Sequence, residues 1–106
     1  MASSKVVVRA DFTMGDVSAD EIEAIIAGVI AAVEEEEPGT LVYAWYRHVE
    51  DPSRWTVLEV YEDEAAQLLH LKGPRMRAAT KRLGELIDFA NGTATRMVSV
   101  GAKGVR

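Results

Sequence analysis

Two segments dense in aromatic and β-branched residues, 40–49 and 55–61, flank the polar stretch Glu50-Asp51-Pro52-Ser53-Arg54. Each alternates in the period of a strand with one buried face, and the connection has turn chemistry, so the pair reads as a β-hairpin. With Arg47 set opposite Val57, the residues Tyr43, Trp45 and Arg47 share a sheet face with Trp55, Val57, Glu59 and Tyr61. The other face carries Val42, Ala44, Tyr46, His48, Thr56, Leu58 and Val60. A slip of one residue in this register would exchange the faces of one strand.

The hairpin is embedded in a regular order of elements. Residues 6–12 (VVVRADF) are short and β-branched, which suits a strand ended by Gly15. Ser18 and Glu21 have the S-x-x-E form of a helix start. Behind them Ile22, Ile25, Ile26, Val29, Ile30 and Val33 recur at steps of three and four, the apolar stripe of an amphipathic helix. Pro38-Gly39 stops that helix. The acids just before the stop, Glu34, Glu35, Glu36 and Glu37, face the negative end of the helix dipole, so a solvated, frayed terminus is expected there.

After the hairpin, Asp63 caps a short helix through Leu71, interrupted at Gly73-Pro74. Met76, Ala79, Leu83, Leu86 and Ile87 then form a second helical stripe, Asn91-Gly92 a turn, residues 94–100 a last strand and 101–106 a loose tail. The order strand, helix, strand, strand, helix, strand predicts an α+β chain of the ferredoxin-like βαββαβ plan, with helices on one face of an antiparallel sheet.

The chain has 106 residues, 48% apolar, and no internal repeat or linker tract, which fits a single domain over 1–106 with its core in about 6–100. Twelve Lys and Arg against seventeen Asp and Glu give a formal charge of -5, the wrong sign for binding nucleic acid or an anionic membrane. With no cysteine there is neither a disulfide nor a thiolate nucleophile. Residues 1–5 lack the apolar core of a signal peptide and no stretch is long enough to span a bilayer, so a cytoplasmic protein is expected. If the sheet is apolar on both faces, helices cover one and water meets the other. A second copy of the chain, packed face to face as a homodimer, is the economical cover, and a monomer with a polar second face is the alternative.

Glu37-Pro38-Gly39, Tyr43, Tyr46-Arg47, Asp51-Pro52, Val57-Leu58-Glu59-Val60-Tyr61, Glu62-Asp63-Glu64-Ala65-Ala66 and His70-Leu71 resemble the antibiotic biosynthesis monooxygenase family of dimeric α+β barrels. The match covers roughly residues 6–100. The resemblance implies a ferredoxin-like protomer, two sheets facing each other in a dimer, and a ligand cavity between each sheet and its own helices. Several members oxygenate aromatic polyketides or quinols with molecular oxygen and neither metal nor flavin. Others degrade haem, isomerise small sugars or have no established activity. Haem-degrading relatives carry an asparagine in the first strand and a histidine farther along the second helix, and both are missing here.

Candidate site residues follow. Glu59 matches the family's strand acid; its neighbours in the strand are apolar or aromatic, and desolvation would raise its pKa toward that of a useful general base. An ion pair with Arg47 would do the reverse. His70 matches the family's helical histidine and is the second catalytic candidate, as base or hydrogen-bond donor, against a plain capping or solvated role. Tyr61 stands where the family has an aromatic, and with Tyr43, Trp45, Trp55, Arg47 and Val57 it is a candidate wall for a flat aromatic ligand, the alternative being core packing. Lys72, Arg75, Arg77, Lys81 and Arg82 either attract an anionic substrate or form a solvated helix face.

No nucleophile elbow, zincin motif, phosphate loop or dinucleotide fingerprint is present. His48 and His70 fall on opposite sides of the sheet, so no metal site is expected. The reading is a cofactor-independent monooxygenase using molecular oxygen on an electron-rich aromatic. A ligand-binding dimer without catalysis, or an isomerase of the same fold, is the competing reading.

Overall fold

The computed structural model of the chain describes residues 4–15 and 18–104. Its elements are β1 (Val6–Met14), α1 (Ala19–Glu36), β2 (Thr40–Arg47), β3 (Arg54–Tyr61), α2 (Glu64–Lys72), α3 (Pro74–Gly84) and β4 (Ile87–Val98). The four strands make one antiparallel sheet in the order β2-β3-β1-β4, so the chain has the α+β, ferredoxin-like arrangement its sequence predicts. Residues 1–3, part of the segment read as lacking a signal peptide, and the last two residues of the expected tail lie outside the described residues.

Local chemistry accounts for most boundaries. Ser18 Oγ accepts from the Glu21 N–H at 3.2 Å, while the Glu21 carboxylate, instead of closing the capping box, pairs with Arg82 on α3. Asp63 caps α2 through the Ala66 N–H at 2.9 Å, and α3 begins with Pro74 in its first turn. The acids at the end of α1 depart from expectation. The helix holds through Glu36 because Arg75 of α3 lies 2.5 Å from Glu35 and 3.6 Å from Glu36, setting positive charge against its negative end. Glu37 is not solvated: it is 7% exposed.

Two further differences concern the strands. In the hairpin Arg47 pairs with Trp55, Trp45 with Val57 and Tyr43 with Glu59, two residues from the expected register. A shift of two leaves every side chain on its assigned face. A bulge between Thr40 and Val42 sets Thr40 opposite Tyr61. The second stripe does not continue as a helix: its final turn tightens as Glu85 N–H bonds to Arg82 O and Leu86 N–H to Leu83 O, and Ile87 opens β4. Asn91-Gly92 therefore does not turn the chain. It lies within β4, where the pairing jumps from Asp11↔Thr93 to Thr13↔Asp88.

The core lies between sheet and helices. Phe12, Met14, Trp55, Val57 and Ile87 from the strands close on Ile22 of α1 and Leu83 of α3, and Val29, Val33 and Met76 join the two helices. Among the described residues no helix lies over the opposite sheet face. There Val7, Val42, Leu58 and Val60 are half-buried and Tyr46 is exposed. His48 on this face has Nε2 2.9 Å from Thr56 Oγ1, which donates to Asp11 Oδ1 at 2.7 Å.

Candidate active site

Three chain segments bring titratable side chains together beneath α2. The first is the exit from α1. The Glu37 N–H caps the helix on Val33 O at 3.0 Å, and the turn through Pro38-Gly39 is fastened by Thr40 N–H to Glu37 O at 3.1 Å. Gly39 permits that turn to lie against α2, since a Cβ there would fall 2.7 Å from the Ala66 Cβ. The second segment is α2, whose inward face presents Ala66 and, one turn on, His70. The third is β3, where Glu59 and Tyr61 point to the same face because they are two residues apart.

His70 is 4% exposed and is bracketed by acids. Nδ1 lies 2.7 Å from Glu37 Oε1 and Nε2 lies 3.4 Å from Glu59 Oε1. Thr40 Oγ1 donates to Glu37 Oε1 at 2.9 Å, and the Tyr61 hydroxyl donates to Glu59 Oε1. The rings of Tyr43 and Tyr61 flank the imidazole with centroids at 5.2 and 5.5 Å. The result is a buried row, Glu37, His70, Glu59 and Tyr61, assembled across the protein.

Burial sets the electrostatics. It pushes the Glu59 carboxyl above the usual carboxylate range, against the opposing pull of the Tyr61 hydrogen bond and the His70 ring. It also raises the Tyr43 and Tyr61 hydroxyls, with the Glu59 charge adding to both, so each remains a protonated donor at neutral pH. The Trp45 indole partly offsets the rise at Tyr43 without making a bond of normal geometry, and Trp45 Nε1 stays buried and unpartnered among the described residues.

This row opens onto a cavity of about 480 Å³ between the sheet and the α2–α3 pair. The sheet contributes Ala10, Phe12, Tyr43, Trp45, Val57 and Glu59; the helices contribute His70, Leu71, Met76, Arg77, Thr80 and Leu83. Phe12 and Trp45 meet edge to face at 5.6 Å and 70°. Within the usual size range for small-molecule sites, such a space is mostly apolar with a few convergent polar groups.

Of the residues singled out in the sequence, Glu59, His70, Tyr43, Trp45 and Val57 line this cavity. Tyr61 does not; at 1% exposure it sits behind Glu59 as its hydrogen-bond donor. Trp55 is buried in the core behind Trp45, the two rings 6.4 Å apart, and takes no part in the wall. Arg47 lies beyond it, exposed, with its guanidinium 5.9 Å from the Trp55 ring centroid, so it pairs with no acid of the site. The basic cluster divides. Arg75 and Arg82 are engaged with acids of α1, and Arg77 reaches the cavity.

Sequence reasoning missed Glu37 and the helix residues Met76, Thr80 and Leu83 as site components. A signal for Glu37 existed: it is the last acid of its run, set against Pro-Gly, where the chain must turn back over the sheet. Among the described residues no group of three His, Asp or Glu is arranged to hold a metal ion; Glu37 and Glu59 address opposite edges of the imidazole and cannot converge on one.

An antiparallel ferredoxin-like sheet with a ligand-sized cavity under its own helices defines a class of small α+β proteins. Comparison with known proteins narrows it. A family profile described as antibiotic biosynthesis monooxygenase matches residues 5–82, and the chain belongs to that family. Solved structures share the fold. A Caulobacter crescentus protein provisionally described as an antibiotic biosynthesis monooxygenase is 24% identical with a TM-score of 0.84, over 93% of this chain and 92% of that one. Rv0793 from Mycobacterium tuberculosis is 20% identical with a TM-score of 0.80, over 95% and 100%. A variant of SnoaB, a cofactor-independent oxygenase from Streptomyces nogalater, is 18% identical with a TM-score of 0.77, over 94% and 97%. A search of curated proteins gives no match. No helix among the described residues is long and apolar enough to cross a membrane.

Proposed function

We propose that this chain is a monooxygenase that oxidises an electron-rich aromatic, a quinol, phenol or anthrone, with molecular oxygen and without a bound cofactor. The observation that supports it is the Glu59–His70 pair, 3.4 Å apart, in the wall of a cavity otherwise lined mainly by apolar and aromatic side chains. With Glu59 ionised and the neutral ring carrying its proton on Nδ1, a carboxylate oxygen faces the Nε2 lone pair, and a proton delivered between them relieves the repulsion. The pair is therefore a base aimed at an acidic O–H or C–H held in the cavity.

An anthrone carries its acidic hydrogens on the CH₂ of its central ring. The ring CH₂ loses a proton to the base, and the carbanion gives one electron to oxygen. The radical and superoxide combine to a peroxide anion; the remaining C–H proton is lost as the O–O bond breaks to leave the carbonyl, and the oxygen expelled as hydroxide regains a proton from the base and departs as water. The substrate supplies all the electrons, so the protein contributes the base, orientation and exclusion of water. Trp45, Tyr43 and Phe12 position the ring, and the family's oxygenases motivate the choice of oxygen as acceptor. The working form in this reading is a cytoplasmic homodimer joined through the helix-free sheet faces.

Oxygen uptake by metal-stripped protein in chelator, with an anthrone or a naphthoquinol, tests it. Turnover above the spontaneous rate is expected, falling by about 10²–10⁴ in Glu59→Gln and His70→Ala. Rates equal to the spontaneous background, with or without tight binding, refute the catalytic reading. Tight binding alone would identify a ligand-holding protein, and proton exchange without oxygen uptake an isomerase.

A further inference from the structure

We infer that Glu37 is a positioning residue of this site, the group that dictates which nitrogen of His70 carries the proton and so leaves Nε2 as the basic atom facing Glu59 and the cavity. The kinetic part of this inference rests on the acid–base role given to His70 above; the structural part does not.

Glu37 Oε1 already accepts from Thr40 Oγ1 at 2.9 Å and lies 2.7 Å from His70 Nδ1. An oxygen that receives one hydroxyl proton and sits at that distance from a ring nitrogen is best matched by an N–H, since a carboxylate has only acceptors to offer. Nδ1 therefore bears the proton. A neutral imidazole carries only one, which leaves the lone pair on Nε2. That nitrogen is on the side of Glu59 and the cavity, whereas Glu37 lies behind the ring, outside the cavity wall.

The surroundings make this arrangement hard to exchange. His70 is 4% and Glu37 7% exposed, so neither readily turns to water for another partner. The Glu37 backbone is fixed by its own N–H to Val33 O and by the Thr40 N–H to its carbonyl, and its carboxylate accepts from Thr40 Oγ1. When the ring takes up a proton at Nε2, the imidazolium stands between two carboxylates, Glu37 and Glu59, and the developing charge is stabilised from behind as well as in front.

Solution NMR of ¹⁵N-histidine protein tests the inference directly, because the chain has only two histidines and His48→Gln assigns the pair. In the wild type the neutral His70 ring is expected to carry its proton on Nδ1, with Nε2 bare. In Glu37→Leu, which removes the acceptor, Nδ1 should lose that fixed proton. Glu37→Gln should lower kcat about 10–100-fold with KM within about twofold, and Glu37→Asp, which restores the carboxylate, should recover part of the loss. A bare Nδ1 in the wild type, or an Nδ1 signal unmoved in Glu37→Leu, overturns the inference. If every variant and the wild type show no turnover while the Nδ1 signals behave as expected, the monooxygenase reading fails and the positioning role stands.

Discussion

Tyr61 donates its hydroxyl to the same Glu59 oxygen that faces His70 Nε2 at 3.4 Å. The phenol is held protonated by burial and by the neighbouring charge, so it is a permanent donor that favours the ionised carboxylate. Tyr61→Phe removes that donor and should move the Glu59 titration to still higher pH. The acid limb of kcat/KM against pH, which requires Glu59 ionised, should shift upward with it. An unchanged acid limb would show that Glu59 is not the titrating base.

Glu59 also makes stability depend on pH in a stated direction. Burial holds its folded pKa above the ordinary carboxylate value, so across that interval the folded chain keeps a proton that the unfolded chain has lost. Stability then falls as pH rises through the interval. In Glu59→Gln this contribution is absent. The melting temperature of the variant minus that of the wild type should therefore grow from acid toward neutral pH and level off above the folded pKa. Other carboxylates, such as Asp11 with its lowered pKa, are common to both proteins and cancel in the difference. A difference that is flat with pH would contradict the raised value.

The sequence carried the faces of the sheet better than the positions along it. Period-two alternation put Tyr43, Trp45, Val57 and Glu59 on the helix-covered side, and an error of two residues in register did not disturb that. Alternation says nothing about where along a strand the helices stand, so Arg47 and Trp55 were grouped with a cavity that ends before them. Glu37 was hidden for a different reason. A run of four acids reads as one solvated unit, and only the turn at Pro38-Gly39 against Ala66 sends the last of them inward to His70. Likewise Asn91-Gly92 has turn chemistry, yet it lies within β4, between Asp88 and Thr93, which both pair with β1.

Ala10 lines the cavity from β1, next to Phe12 and Val57. Ala10→Leu places three extra carbons where a ligand ring would lie, leaving Glu59 and His70 untouched. KM for an aromatic substrate should rise about tenfold or more, since single methylene groups in fitted pockets are worth about 10–200-fold. Trp45 lies in the wall, so quenching of intrinsic fluorescence on titration with a quinone reports the binding independently of turnover. Equal affinity in the variant and the wild type would place the ligand elsewhere.

Leu58 lies on the helix-free face of β3, half-buried and two residues from Val60 on the same side. Its neighbours across the strands are Arg9 on β1 and Ala44 on β2, and its side chain points away from the cavity. If two sheets meet through this face, Leu58→Glu brings a carboxylate from each copy into the contact, a desolvation that costs each copy several kcal/mol. The wild type should sediment at about twice the chain mass and the variant at the mass of one chain, with far-ultraviolet circular dichroism retained. A wild type that sediments as a single chain at micromolar concentration would remove the dimer from the proposed function, while the cavity and its Glu37–His70–Glu59 row, all within one chain, would be unaffected.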